Sequence, residues 1–254
     1  MEEQKFEVLG GSLEKSLKGE TKLDLKVLAS EAWQLTKNRK SEVLQGALFI
    51  FFLGVVLSIF IQSFFDVSDI QAVSPNVLMA IKVAGIVITA PIVATMLLLG
   101  ISHSVGIKPA FFLLFKKLIG SVLIILLALG IAALTDLSSY LVSSINTSIG
   151  FIVLIYVGMA TGFSMMLLIE KKLSPNQSII QSFKVYNRYI LPLSAFYLGS
   201  VVLFIVGMFT FGIMYIWLIP FYFNFKGVLY RELFGVTVAK VNSVKQPSES
   251  IFHA

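Results

Sequence analysis

The stretch SPNQSIIQSFKVYNRYILPLSAFYLGSVVLFIVGMFTFGIMYIWLIPFYFNFKGVLYRELFG, Ser174 to Gly235, decides how the rest of the chain is read. Ser174-Pro175-Asn176-Gln177 supplies an N-cap hydroxyl, a proline at the first helical position and a glutamine at the third, which together start a helix. On that helix Ile179, Ile180, Phe183 and Tyr186 fall on one side and Gln177, Gln181 and Lys184 on the other. No charge interrupts the 37 residues between Arg188 and Lys226. A hydrocarbon core about 30 Å thick takes roughly 20 helical residues, so one helix overshoots it and two short spans fit. The turn belongs at Gly207-Met208-Phe209-Thr210-Phe211-Gly212. The unit is an interfacial helix, a span outward, a tight turn and a span back.

The composition agrees with a membrane protein. Of 254 residues, 57 % are hydrophobic and 13 % charged, about half the charged fraction of roughly a quarter in soluble proteins. The absence of cysteine excludes disulfides and thiolate metal sites. A net charge of +6 does not point to nucleic acid, because the basic residues gather at the ends of apolar runs. Residues 1–43 are highly charged and lack the apolar core of a signal peptide.

Outward from the deciding stretch, the same unit recurs. Residues 1–20 mix both charge signs around Gly10-Gly11 and are expected to be mobile. Thr21-Lys22-Leu23-Asp24 starts an amphipathic helix that ends on Lys37, Arg39 and Lys40, with Trp33 at headgroup level. Spans are expected over 44–65, 77–100, 118–135, 149–169, 190–207 and 211–229. Ser74-Pro75-Asn76 repeats the Ser-Pro-Asn start, and Pro91 should kink the second span. Residues 101–117 read as a second interfacial helix, with a re-entrant segment as the other option. Residues 136–148 read as a link. Gly235 closes the last helix as its C′ residue, and 236–254 is expected to be a mobile tail.

The fold class that follows is all-α: a single polytopic domain over 21–235, with six transmembrane helices as three hairpins, each preceded by a cytoplasmic amphipathic helix. Nineteen of the 20 Lys and Arg residues lie in the N-terminal segment, in 101–117, in 170–189 or after Phe225, and the three intervening links carry none. The positive-inside rule then places both termini in the cytoplasm. Ala32-Trp33-Gln34-Leu35, Ala110-Phe111-Phe112-Leu113 and Ser182-Phe183-Lys184-Val185 each put an aromatic after a small residue, at intervals of 78 and 72 residues. A threefold duplication produces that pattern, and so does the common need of interfacial helices for aromatics and cations.

Few residues carry chemistry. Lys82 is the charged residue set furthest inside an expected span, and an intramembrane cation marks a site by default. Its stem can also snorkel to the outer face, where Asp66, Asp69 and Asp136 offer partners. Pro91, between Thr89 and Thr95, can open a helix to a solute, as broken helices do in transporters. Lys82, Thr89, Pro91 and Asp136 are therefore the candidate polar site. Gly158 and Gly162 form a GxxxG that admits close helix packing, within the chain or in a dimer. His103 has no second ligand at metal spacing. No catalytic residue, cofactor site or metal site is expected, and no acid at mid-depth provides a proton relay.

The segment from Ser178 to Gly235, with Ser178, Ser182, Phe183, Pro220, Tyr230 and Arg231 as the matching residues, resembles a group of bacterial inner-membrane proteins. These include the YciC-like proteins and the membrane domain attached to some glycerophosphodiester phosphodiesterases. The likeness extends as a six-span layout over about 200 residues, and no phosphodiesterase domain accompanies it here. It implies a bacterial inner-membrane location and a role in the envelope, and it carries over no catalytic activity. The leading expectation is a non-enzymatic protein that binds anionic lipid headgroups, itself or another membrane protein. The alternative is a small-solute transporter or channel using Lys82 and the Pro91 kink.

Overall fold

The computed structural model describes residues 6–64 and 74–239. It begins with strand β1 (Phe6–Leu9), a short helix α1 (Leu13–Lys18) and a 40-residue helix α2 (Leu25–Phe64). Next come α3 (Pro75–Ser104), α4 (Phe111–Leu118), α5 (Val122–Ser143), α6 (Thr147–Ala160) and α7 (Ser164–Glu170). Then follow α8 (Pro175–Arg188), α9 (Ile190–Met208), α10 (Tyr215–Phe234) and strand β2 (Val236–Ala239). The expected partners Asp66 and Asp69 lie outside the described residues.

Local chemistry sets most helix ends. Ser74 and Ser174 each accept a hydrogen bond from the N–H three residues on, at 3.4 Å in both cases, with proline at the next position. Asp24, rather than Thr21, caps α2: its Oδ1 accepts from the N–H groups of Lys26 and Val27 at 3.0 and 3.2 Å. The interfacial helix and first span are one element broken at Arg39, whose φ of −141° leaves the helical region. α3 continues through Pro91 as one helix, and the Thr95 hydroxyl donates to the Pro91 carbonyl at 2.8 Å. The chain turns between α9 and α10 at Phe211 and Gly212, both in the left-handed region with φ of 51° and 82°.

Among the described residues five helices are long and apolar enough to cross a membrane: Leu25–Ser63, Pro75–Ser104, Val122–Ser143, Thr147–Glu170 (α6 and α7 together) and Ile190–Met208. α10 has 20 residues and is more polar, with Lys226, Arg231 and Glu232 in its second half.

Three further expectations are corrected. α5 runs on through Asp136 to Ser143, where a link was expected over 136–148. The hydroxyls of Thr135 and Ser138 bond carbonyls of the preceding turn, so the polar residues do not break the helix. α8 buries Ser178, Ser182, Val185 and Tyr186, while Ile180 faces outward; a lipid-facing helix can expose its apolar side. Within the segments expected to be mobile, residues 6–9 and 236–239 pair as an antiparallel two-stranded sheet, Leu9 opposite Val236. Gly10 and Gly11 let the first strand reach α10. A Cβ at Gly11 would lie 1.9 Å from the Glu232 carbonyl oxygen, and Gly11 N–H donates to Arg231 O at 3.0 Å.

α10 is the hub, packing against α2, α3, α1 and α9, while α5 packs mainly on α6. α4 tucks in beside α2 and α3, where Phe111 and Leu114 bury against Val43, Met96 and Leu99.

Candidate functional site

Of the residues singled out from sequence, Lys82 and Asp136 come together and the others do not join them. Lys82 and Asp136 form an ion pair between α3 and α5, each about half exposed. The Thr89 hydroxyl returns to its own helix at Gly85 O, 2.7 Å away. Thr89 also lines an apolar groove of about 260 Å³ with Ile50, Leu53 and Gly54, a groove whose walls include neither Lys82 nor Asp136. Pro91 is buried inside α3. Of the glycine pair, a Cβ at Gly162 would lie 1.9 Å from the Tyr197 hydroxyl, whereas one at Gly158 meets no atom within 4 Å.

A different arrangement forms where α6 gives way to α7. Over Thr161–Phe163 the ladder tightens to i→i−3 bonds, Gly162 N–H to Met159 O and Ser164 N–H to Thr161 O, both at 3.0 Å. Two backbone groups are then taken by a side chain of α8. Ser182 Oγ donates to Ala160 O at 2.6 Å and accepts from Phe163 N–H at 3.2 Å. In a membrane an interrupted helix persists only where protein or a water-filled cavity satisfies its backbone, and Ser182 does so here. The same interruption directs the Phe163 ring inward, where it is fully buried.

Lys226 lies beside that ring. It is 6 % exposed, and its ammonium stands 5.9, 5.7 and 5.6 Å from the ring centres of Phe163, Tyr197 and Tyr222. No carboxylate lies within ion-pair distance of it among the described residues. Burial of an unpaired cation costs several kcal/mol even after relaxation, and each aromatic face offsets about 0.5–2 kcal/mol. The rings therefore compensate much of that cost without neutralising the charge. Lys226 and Tyr197 line a cavity of about 410 Å³ between α6, α9 and α10, whose other walls include Leu154, Gly158, Val201 and Phe204. The Tyr197 hydroxyl is buried and has no hydrogen-bond partner among the described residues.

The sequence reading took Lys226 for the cation that closes an uncharged run. One signal was available: Tyr222 stands four residues earlier, on the same face of a helix. The other two rings arrive from distant segments.

Two polar clusters brace the surrounding helices. Asn224 donates to Thr36 Oγ1 at 3.1 Å and shares a 2.8 Å hydrogen bond with His103 Nδ1, joining α10 to α2 and α3. Arg231 grips Glu31 through both terminal nitrogens at 2.6 and 2.9 Å, binds Glu232, and donates to Ser104 O at 2.6 Å. The carboxylates of Glu31 and Glu232 pair the guanidinium from two sides. Among the described residues no group of three His, Asp or Glu side chains forms that could hold a metal ion.

The chain matches no protein-family model, and no curated protein or solved structure shows significant similarity to it.

Proposed function

We propose that this chain is a non-enzymatic integral protein of the bacterial inner membrane that acts by binding anionic lipid. In this reading α10 is a sixth span, the spans form three hairpins, and both termini are cytoplasmic. The observation that carries it is a one-sided basic surface. Apart from Lys82 and the buried Lys226, the described Lys and Arg residues lie on the stretch from Lys15 to Lys40, around α4, between Lys171 and Arg188, or at Arg231. Hydrogen bonds tie these segments to one another at one end of the bundle. Arg39 reaches Ile107 O at 2.9 Å, Arg188 reaches Lys18 O at 2.7 Å, and Arg231 reaches Glu31 and Ser104. Lys116, Lys117 and Lys172 remain exposed there, suited to anionic headgroups, each worth about 1 kcal/mol near such a surface. The likeness to the YciC-like group favours the same membrane, and its motif residues Ser182, Tyr230 and Arg231 are bracing residues here.

The test is unfolding of the protein in nanodiscs with and without phosphatidylglycerol. The anionic lipid should raise the midpoint, added salt should lower the gain, and Lys116→Gln with Lys117→Gln and Lys172→Gln should reduce it. A midpoint indifferent to lipid charge rejects the reading.

A further inference from the structure

We infer that the cavity between α6, α9 and α10 is a discrete site for one anionic amphiphile, its charged head on Lys226 and Tyr197 and its chain on the apolar wall toward Phe204. The inference rests on the lipid-binding reading above and gives it a place inside the fold, apart from the basic surface.

Both polar groups at the inner end of the cavity have hydrogen-bonding capacity to spare. The Lys226 ammonium has three donors, and aromatic faces surround it instead of acceptors. The Tyr197 hydroxyl is buried and Tyr197 lines the same cavity, with no partner for that hydroxyl among the described residues. It fits there because residue 162 is glycine, since any Cβ at that position would strike it. A single phosphate or carboxylate can accept from both groups at once, giving charge-assisted bonds to a cation and a phenol that the protein leaves unpaired.

The remainder of the cavity suits a chain. From Tyr197 to Phe204 is seven residues along α9, about 10 Å of wall at 1.5 Å per residue. Leu154 and Ile155 face it from α6 and Val201 from α9. The Ser200 hydroxyl on this wall is already committed to Phe196 O at 2.7 Å, so it presents no unmet polar group to an acyl chain. The ligand is thus monoanionic at one end and apolar beyond, a description met by a bilayer phospholipid with one chain inserted or by a free fatty acid.

Native mass spectrometry of the full chain released from zwitterionic nanodiscs, with phosphatidylglycerol or oleate as probe, tests the site. One probe molecule should remain bound per chain. Tyr197→Phe should weaken it about tenfold and Lys226→Met about a hundredfold, as expected for hydrogen bonds to charged groups. Gly158→Leu should abolish it by filling the cavity with the charge intact, as no atom lies within 4 Å of a Cβ there. Should Lys226→Met fail to fold, Gly158→Leu and Tyr197→Phe decide the matter. Retention of phosphatidylglycerol alone assigns the site to bilayer lipid, and of oleate alone to free fatty acid; either supports it. Lys116→Gln with Lys117→Gln should leave the single bound probe in place. If that variant loses it, or Gly158→Leu binds as the wild type does, the cavity is not the site. Loss of the cavity site while phosphatidylglycerol still stabilises the protein overturns this inference and leaves the surface reading standing.

Discussion

Gly227 of α10 lies against Gly100 of α3 so closely that a Cβ on Gly227 would stand 2.1 Å from the Gly100 carbonyl oxygen. The reverse crossing is as tight: a Cβ on Gly100 would stand 2.1 Å from Phe223 O. In lipid, where helix association depends on packing and interhelical hydrogen bonds, small residues permit this approach. Gly227→Ala and Gly100→Ala should each destabilise the protein by about 1–3 kcal/mol through overpacking. Gly85→Ala and Gly130→Ala, whose added Cβ meets nothing within 4 Å, should be neutral or stabilising by up to about 1 kcal/mol through helix propensity. Denaturation in mixed micelles separates the two pairs. Equal effects would show that the crossing is looser than described.

Ser182→Ala removes the one side chain that satisfies Ala160 O and Phe163 N–H. Leaving both buried groups unmet should cost about 1–3 kcal/mol. Ser178→Ala, one turn earlier on α8, deletes a buried hydroxyl that has no partner among the described residues and should be tolerated. Hydrogen exchange at Phe163 provides a local readout, rising in the first variant and unchanged in the second.

Orientation is open to direct labelling, because the chain contains no cysteine. Ser144→Cys, in the short α5–α6 turn, should react with an impermeant maleimide on intact cells. Lys184→Cys, exposed on α8, should react only after permeabilisation. The opposite pattern would invert the proposed topology.

What could be read in advance depended on how far apart the interacting residues are. The caps at Ser74 and Ser174 and the turn at Gly212 are settled within a few residues, and they stand where the sequence places them. The interruption over Thr161–Phe163 was invisible, since an apolar run reads as one span and the hydroxyl that satisfies the break comes from Ser182, 19 residues beyond Phe163. Lys226 was read by its neighbours along the chain, whereas Phe163 and Tyr197 supply its surroundings. The terminal strands were missed for the same reason. Four residues are too short for alternation to register, and each strand finds its partner at the far end of the chain.

The place of α10 at the centre of the bundle has a consequence for synthesis. The helix that joins α1, α2, α3 and α9 leaves the ribosome after all of them. Until it arrives, Gly100 has no helix to cross, Glu31 no arginine, His103 and Thr36 no amide, and the first strand no mate. The earlier helices hold only the contacts they make with one another, α5 with α6 and both α2 and α5 with α3. The bundle therefore closes last on α10, and a chain truncated before Tyr215 should leave its N-terminal end open to protease.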